Sequence, residues 1–208
     1  MAGGEGGGGE RIVPGGEGAG EYEDRGSRFL AWVFPAPAED DLRRRLEELR
    51  AEHPKARHHC WAWFGDASHY RFADDGEPGG TAGRPMLQVL EGSGLVEVGA
   101  VCVRYFGGVK LGTGGLARAY AGAVARALDG LPRRVVPAVA EYWLRLPFDL
   151  LGLRNEIESL CPTARFDGAY TDQGWEGRVE LTVADAARFE QILEEHGAGR
   201  ARWTRAVD

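Results

Sequence analysis

At 208 residues, with 43% hydrophobic content and six tryptophans, the chain has material for one large cored domain or two small ones, and its net charge of -7 argues against a broad cationic face for duplex nucleic acid. No apolar run approaches the roughly 20 residues of a membrane span, and no basic region followed by an apolar stretch opens the chain, so a cytoplasmic location is expected. Three cysteines, Cys60, Cys102 and Cys161, are an odd number at unrelated spacings and read as reduced, mostly buried thiols rather than a disulfide framework.

In chain order, residues 1–24 come first, with ten glycines in the first twenty positions and few apolar residues. Such a segment buries too little surface to offset its ordering entropy, so a disordered, acidic, glycine-rich tail is expected. Ser27 to Phe34 reads as a strand closed by Pro35 and Pro37. Leu42, Leu46 and Leu49 recur at helical spacing between Glu39 and Glu52, with acids in the first turn where the helix dipole favours them. His58 to Phe64 alternates as a strand, which places His58, Cys60 and Ala62 on one side and His59, Trp61 and Trp63 on the other. A turn-rich loop, Asp74-Asp75-Gly76-Glu77-Pro78-Gly79-Gly80-Thr81-Ala82-Gly83, leads to a short helix near Pro85 to Leu90. Val96 to Arg104 is a strong strand. It runs into Tyr105-Phe-Gly-Gly-Val-Lys-Leu-Gly-Thr-Gly-Gly-Leu-Ala-Arg118, and then into a helix from about Gly115 to Leu128.

Pro132 and Pro137 flank a linker and divide an N-terminal domain, 25–134, from a C-terminal domain, 138–208. In the second, strand 141–146, helix 150–160, a hairpin of 164–171 and 178–183, helix 186–195 and strand 201–207 follow the order βαββαβ, the ferredoxin-like arrangement.

Two stretches carry chemistry. Glycine weakens strands and helices, so five glycines between a strand and a helix signal special backbone geometry or a closely approaching ligand. Gly107, Gly108, Gly112, Gly114 and Gly115 with Lys110 are not a Walker A loop, because the lysine precedes the last three glycines. Amides opening a helix nevertheless make an anion site, to which Arg104, Lys110 and Arg118 can add charge, while close helix-to-sheet packing explains the glycines equally well. In the 74–83 loop, Gly79, Gly80 and Thr81 suit an anion-binding backbone. Asp74, Asp75 and Glu77 lack the acid spacing of an EF-hand, and a solvated turn is the plainer reading. His53, His58, His59 and Cys60 lack zinc-ligand spacing, so no metal is assigned. His58 is the acid/base candidate.

Taken together, Ser27-Arg28-Phe29, His53-Pro-Lys-Ala-Arg-His-His-Cys60, the 74–83 loop and Tyr105 to Tyr120 resemble the YigZ/IMPACT family over roughly residues 25–130. Residues 138–208 look like the C-terminal domain of its bacterial members. His59 stands where an asparagine is common. The resemblance implies an α+β protein, with an N-terminal domain similar to the ribosomal protein S5 domain 2-like fold and a ferredoxin-like C-terminal domain. Eukaryotic relatives regulate translation through protein contacts, some made by a domain absent from this sequence.

The resulting expectation is a translation-associated regulatory factor that binds RNA, the ribosome or a translation-related protein through a surface groove. The 74–83 loop and Gly107 to Gly115 form its walls, and Arg28, His58, Arg104, Lys110 and Arg118 make the polar contacts. No cofactor is implied. An enzyme acting on a small phosphorylated or peptide-like ligand is the second reading, with His58, Asp74, Asp75 and Glu77 as catalytic candidates. A protein-interaction module, suited to the acidic C-terminal half, is the third.

Overall fold

The computed structural model describes residues 10–206. Within them the chain divides into two compact units, one of Arg11–Val136 and one that begins at Pro137.

The first unit is built on a five-stranded antiparallel sheet. Its strands are β2 (Gly18–Asp24), β3 (Ser27–Pro35), β6 (Val98–Tyr105), β4 (His58–Phe64) and β5 (Tyr70–Ala73), in that spatial order. β1 (Arg11–Pro14) and β7 (Arg133–Val136) pair separately as a two-stranded ribbon. Alternation along the strands sends Phe29, Ala31, Val33, Cys60, Ala62, Ala100 and Cys102 to one face. There α2 (Gly83–Gly92) and α3 (Gly112–Leu128) cover them with Met86, Leu87, Leu90, Leu116, Tyr120 and Val124. Val101, Val103, Trp61 and Trp63 point to the opposite face, against α1 (Glu39–Glu52) and its Leu42, Leu46 and Leu49. His58 to Phe64 thus alternates as its sequence pattern indicates, and α1 has the bounds its leucine spacing and acidic first turn define.

The tail expected over residues 1–24 is corrected where the structure describes it. Residues 11–14 and 18–24 are strands, and residues 1–9 lie outside the described residues. β2 and β3 form a hairpin whose two turn residues, Arg25 and Gly26, both have positive φ (46° and 77°), the pattern of a tight hairpin turn. Gly18 and Gly20, which looked like part of a flexible composition, serve packing. A Cβ on Gly20 would lie 2.4 Å from the Ala127 nitrogen and 2.6 Å from the Ala123 carbonyl oxygen of α3. Glycine on the strand and alanine on the helix let the two backbones approach closely, so little apolar side chain is needed for the contact.

The second unit runs β8 (Val139–Pro147), α4 (Gly152–Leu160), β9 (Arg165–Thr171), β10 (Gly174–Thr182), α5 (Val183–His196) and β11 (Arg202–Arg205). The strands form one antiparallel sheet in the order β11-β8-β10-β9. Tyr142, Leu144, Leu146, Trp175, Val179 and Leu181 pack with Leu153, Ile157, Phe189, Ile192 and Leu193 of the two helices.

Candidate functional site

The 74–83 loop is held by its own acids. Asp74 Oδ1 accepts the backbone N–H groups of Ala82 (2.9 Å) and Gly83 (2.8 Å), and its Oδ2 accepts that of Gly80 (2.7 Å). This carboxylate occupies the start of α2, where the helix exposes unsatisfied N–H groups. The amides of Gly80, Ala82 and Gly83 are therefore already taken by an anion, and it is the protein's own. Thr81 is buried and donates its hydroxyl to the Pro78 carbonyl at 2.7 Å. Of the expected anion cradle, Gly80 thus donates its amide to Asp74 and Thr81 its hydroxyl to Pro78. Asp75 Oδ2 accepts the His59 N–H at 2.7 Å and ties the loop to β4. Asp74 and Asp75 thus position the loop.

Glu77 differs from both. Its side chain is 3% exposed and receives Arg104 Nη1 at 2.6 Å and the Tyr120 hydroxyl at 2.8 Å. Arg104 is itself 7% exposed, and its Nε has no hydrogen-bond partner. A buried pair of this kind needs full hydrogen bonding to offset its desolvation, so an unpartnered Nε is costly in the structure as it stands. Burial drives the Tyr120 phenol well above its ordinary pKa, which keeps it a hydrogen-bond donor to Glu77. Burial likewise raises the Cys60 and Cys102 thiols, so neither is an activated nucleophile.

Above this buried network lies a groove of about 450 Å³. The 74–83 loop contributes Glu77 and Pro78 to it, β4 and the residue before it contribute His58 and Arg57, and β6 contributes Arg104. The opposite wall is the glycine-rich stretch, through Phe106, Lys110 and Leu111, and the beginning of α3, through Gly112, Thr113 and Leu116. The two sequence stretches singled out for chemistry therefore meet across one groove.

α3 begins at Gly112, a turn earlier than its alanine-rich pattern indicates. No side chain caps its N-terminus and its first turn holds no acid. The glycines at its start thus lie inside the helix or its lead-in. Gly107 has a separate reason to be glycine: a Cβ there would lie 1.9 Å from the Gly26 carbonyl carbon, where the β2–β3 turn abuts the loop. Gly108 and Gly114 do not line the groove, and Gly115 is buried against Leu111.

His58 Nδ1 lies 2.9 Å from the Asp75 carbonyl oxygen. A carbonyl only accepts, so Nδ1 carries a proton, and in the neutral form of the ring Nε2 is the acceptor. His59, on the other face, is 6% exposed with an unpartnered Nε2, and burial lowers its pKa. Among the described residues no three His, Cys, Asp or Glu side chains converge as a metal site.

Two expected contacts fall elsewhere. Arg28 is not in the groove lining; it pairs with Glu21 at 2.7 Å and Glu23 at 3.3 Å across the hairpin that the tail reading had overlooked. Arg118 is exposed nearly two turns into α3 and does not line the groove. Conversely, Arg57, Phe106, Thr113 and the floor residue Tyr120 were missed as site residues. Arg57 and Phe106 lie within stretches already quoted, His53 to Cys60 and Tyr105 to Arg118, but nothing in their spacing points them inward. Among the described residues no helix is long and apolar enough to cross a membrane.

The Impact N-terminal domain is matched over residues 25–128, which include the groove. Over 185 residues, 85% of this chain and 88% of the relative, the chain is 40% identical to the IMPACT family member YigZ of Escherichia coli (strain K12). It is 37% identical over 199 residues to an IMPACT family member of Haemophilus influenzae, covering 92% of this chain and 94% of that protein. Among solved structures, one described as the crystal structure of a hypothetical protein superposes with a TM-score of 0.74 at 36% identity, covering 96% of this chain and 98% of that one. With the matched domain spanning the groove and both relatives similar over nearly their whole length, the chain belongs to the IMPACT family.

Proposed function

We propose that the chain is a translation-associated regulatory factor that binds a phosphate-bearing partner, RNA or the ribosome, in the groove between the 74–83 loop and the start of α3. The observation that carries this reading is the charge of that groove. Arg104 is neutralised by Glu77 beneath it, whereas Arg57 and Lys110 form no ion pair among the described residues. Both share the groove with the uncapped N-terminus of a 17-residue helix that has no acid in its first turn. Unpaired cations beside free helix amides favour an anion. Family membership supports the translational setting.

The same reading takes the first unit as S5 domain 2-like, supported by an antiparallel sheet with helices on both faces. It takes the second as ferredoxin-like, supported by its βαββαβ order and the strand order β11-β8-β10-β9. An enzyme acting on a small phosphorylated ligand is favoured by one observation, the His58 ring held with Nε2 as an acceptor at the groove.

Lys110→Ala decides the electrostatic reading. The exposed side chain makes no ion pair, so its loss leaves the fold intact. Binding to RNA or ribosomes across a salt titration should weaken, with the slope of log K against log salt reduced by about 1. An unchanged slope and affinity would overturn the proposal.

A further inference from the structure

We propose that the groove is a site for a nucleoside monophosphate, with the phosphate monoester at Lys110 and the first turn of α3 and the base against Phe106. The inference rests on the anion reading of the groove and goes on to name the ligand.

Charge selects the phosphate. With Arg104 and Glu77 cancelling, the groove has two uncompensated cations, Arg57 and Lys110, besides the positive end of α3. A phosphate monoester carries about -1.5 to -2 at neutral pH, which matches that charge, whereas a phosphodiester carries about -1. The unit that bears the groove, Arg11–Val136, has 17 Lys plus Arg against 17 Asp plus Glu, so outside the groove a long polyanion finds no cationic excess to track. One doubly charged group seated locally suits this distribution better than a tracked backbone.

Size and apolar lining select what accompanies the phosphate. About 450 Å³ is in the range of small-molecule sites. The lining also includes Pro78, Leu111 and Leu116, which a bare anion would not use. Phe106 belongs to the groove yet is 56% exposed, an aromatic ring left open where a base can stack. The Arg104 guanidinium lies 5.5 Å from the centre of that ring. Arg104 is more than nine-tenths buried and lines the groove beside that ring, although its unpartnered Nε is itself enclosed by protein. His58 Nε2 supplies the acceptor that a sugar hydroxyl requires.

The ligand can be a free nucleotide or the phosphorylated end of an RNA strand, and the test separates them. Calorimetric titration and thermal shift of the full chain would use the four ribonucleoside 5′-monophosphates, with adenosine, ribose 5-phosphate and inorganic phosphate as controls. A parallel series would use one short ribo-oligonucleotide with a 5′-phosphate or a 5′-hydroxyl. At least one monophosphate, or the 5′-phosphorylated strand, is expected to bind at least tenfold more tightly than its control lacking base or phosphate. Lys110→Ala and Phe106→Ala should each weaken binding by roughly tenfold, with folding checked by circular dichroism. Binding of mononucleotides alone assigns a free nucleotide; a 5′-phosphorylated strand that outcompetes them assigns a strand end.

Equal affinity for inorganic phosphate and nucleotide, no binding by any probe, or an unchanged Phe106→Ala overturns the inference. RNA or ribosome binding that still depends on Lys110 but does not respond to mononucleotides or a terminal phosphate overturns this inference alone. Loss of both defeats the anion reading beneath it.

Discussion

Glu77 is the residue on which the groove floor turns. Its carboxylate receives both Arg104 and Tyr120 in a setting from which water is excluded, so removing its charge leaves a buried guanidinium uncompensated. Glu77→Gln should therefore destabilise the protein by about 3–5 kcal/mol, read as a lower urea midpoint with unchanged m-value. Combining it with Arg104→Met should recover much of that loss, because an apolar replacement of a buried pair removes the desolvation cost along with the attraction. If the double variant is no more stable than the single one, the destabilisation has another source. His59 sets a pH dependence. Burial lowers its folded-state pKa below the usual value near 6.5, so over that interval the unfolded chain binds the extra proton. Its contribution to stability is complete above about pH 6.5 and is lost as pH falls towards the lowered value. Urea midpoints at pH 7.5 and 5.5 should differ more for the parent than for His59→Asn, which has no proton to take up.

Helices and strands were unequally legible. α1 and β4 could be located from period alone, since three leucines and an acidic first turn, or a two-residue alternation, are local properties of the chain. β2 could not, because the strand has small and polar residues and owes its place to the alanine-lined α3 that lies against it. That contact yields a prediction at the scale of the element. Gly20→Ala would force its Cβ into the α3 backbone and should cost about 1–3 kcal/mol. Gly16→Ala, whose Cβ meets nothing within 4 Å, should leave the urea midpoint unchanged. The same non-local logic explains the 74–83 loop. Its glycines and acids were recognisable as a site-forming stretch, but which acid closes on which amide depends on the register of β4 beside it. Asp74 took the amides for itself, and only Glu77 reached the groove.

For the molecule as a whole, composition and pattern determined a great deal: an α+β chain, a division near Pro137, the order βαββαβ after it, and the two glycine-rich stretches that line one groove. These are legible because periodicity, turn residues and motif order are encoded within a few tens of residues. Tertiary structure alone decided which charges were free. It paired Arg28 with Glu21 and Glu23 across a hairpin, sank Arg104 onto Glu77, filled the loop amides with Asp74, and left Arg57, Lys110, Phe106 and the start of α3 around one groove. The physical reason is that the availability of a charged or polar group depends on its partners, and those partners lie up to 27 residues away for Arg104. Their proximity is set by strand register and helix packing, which no local pattern records.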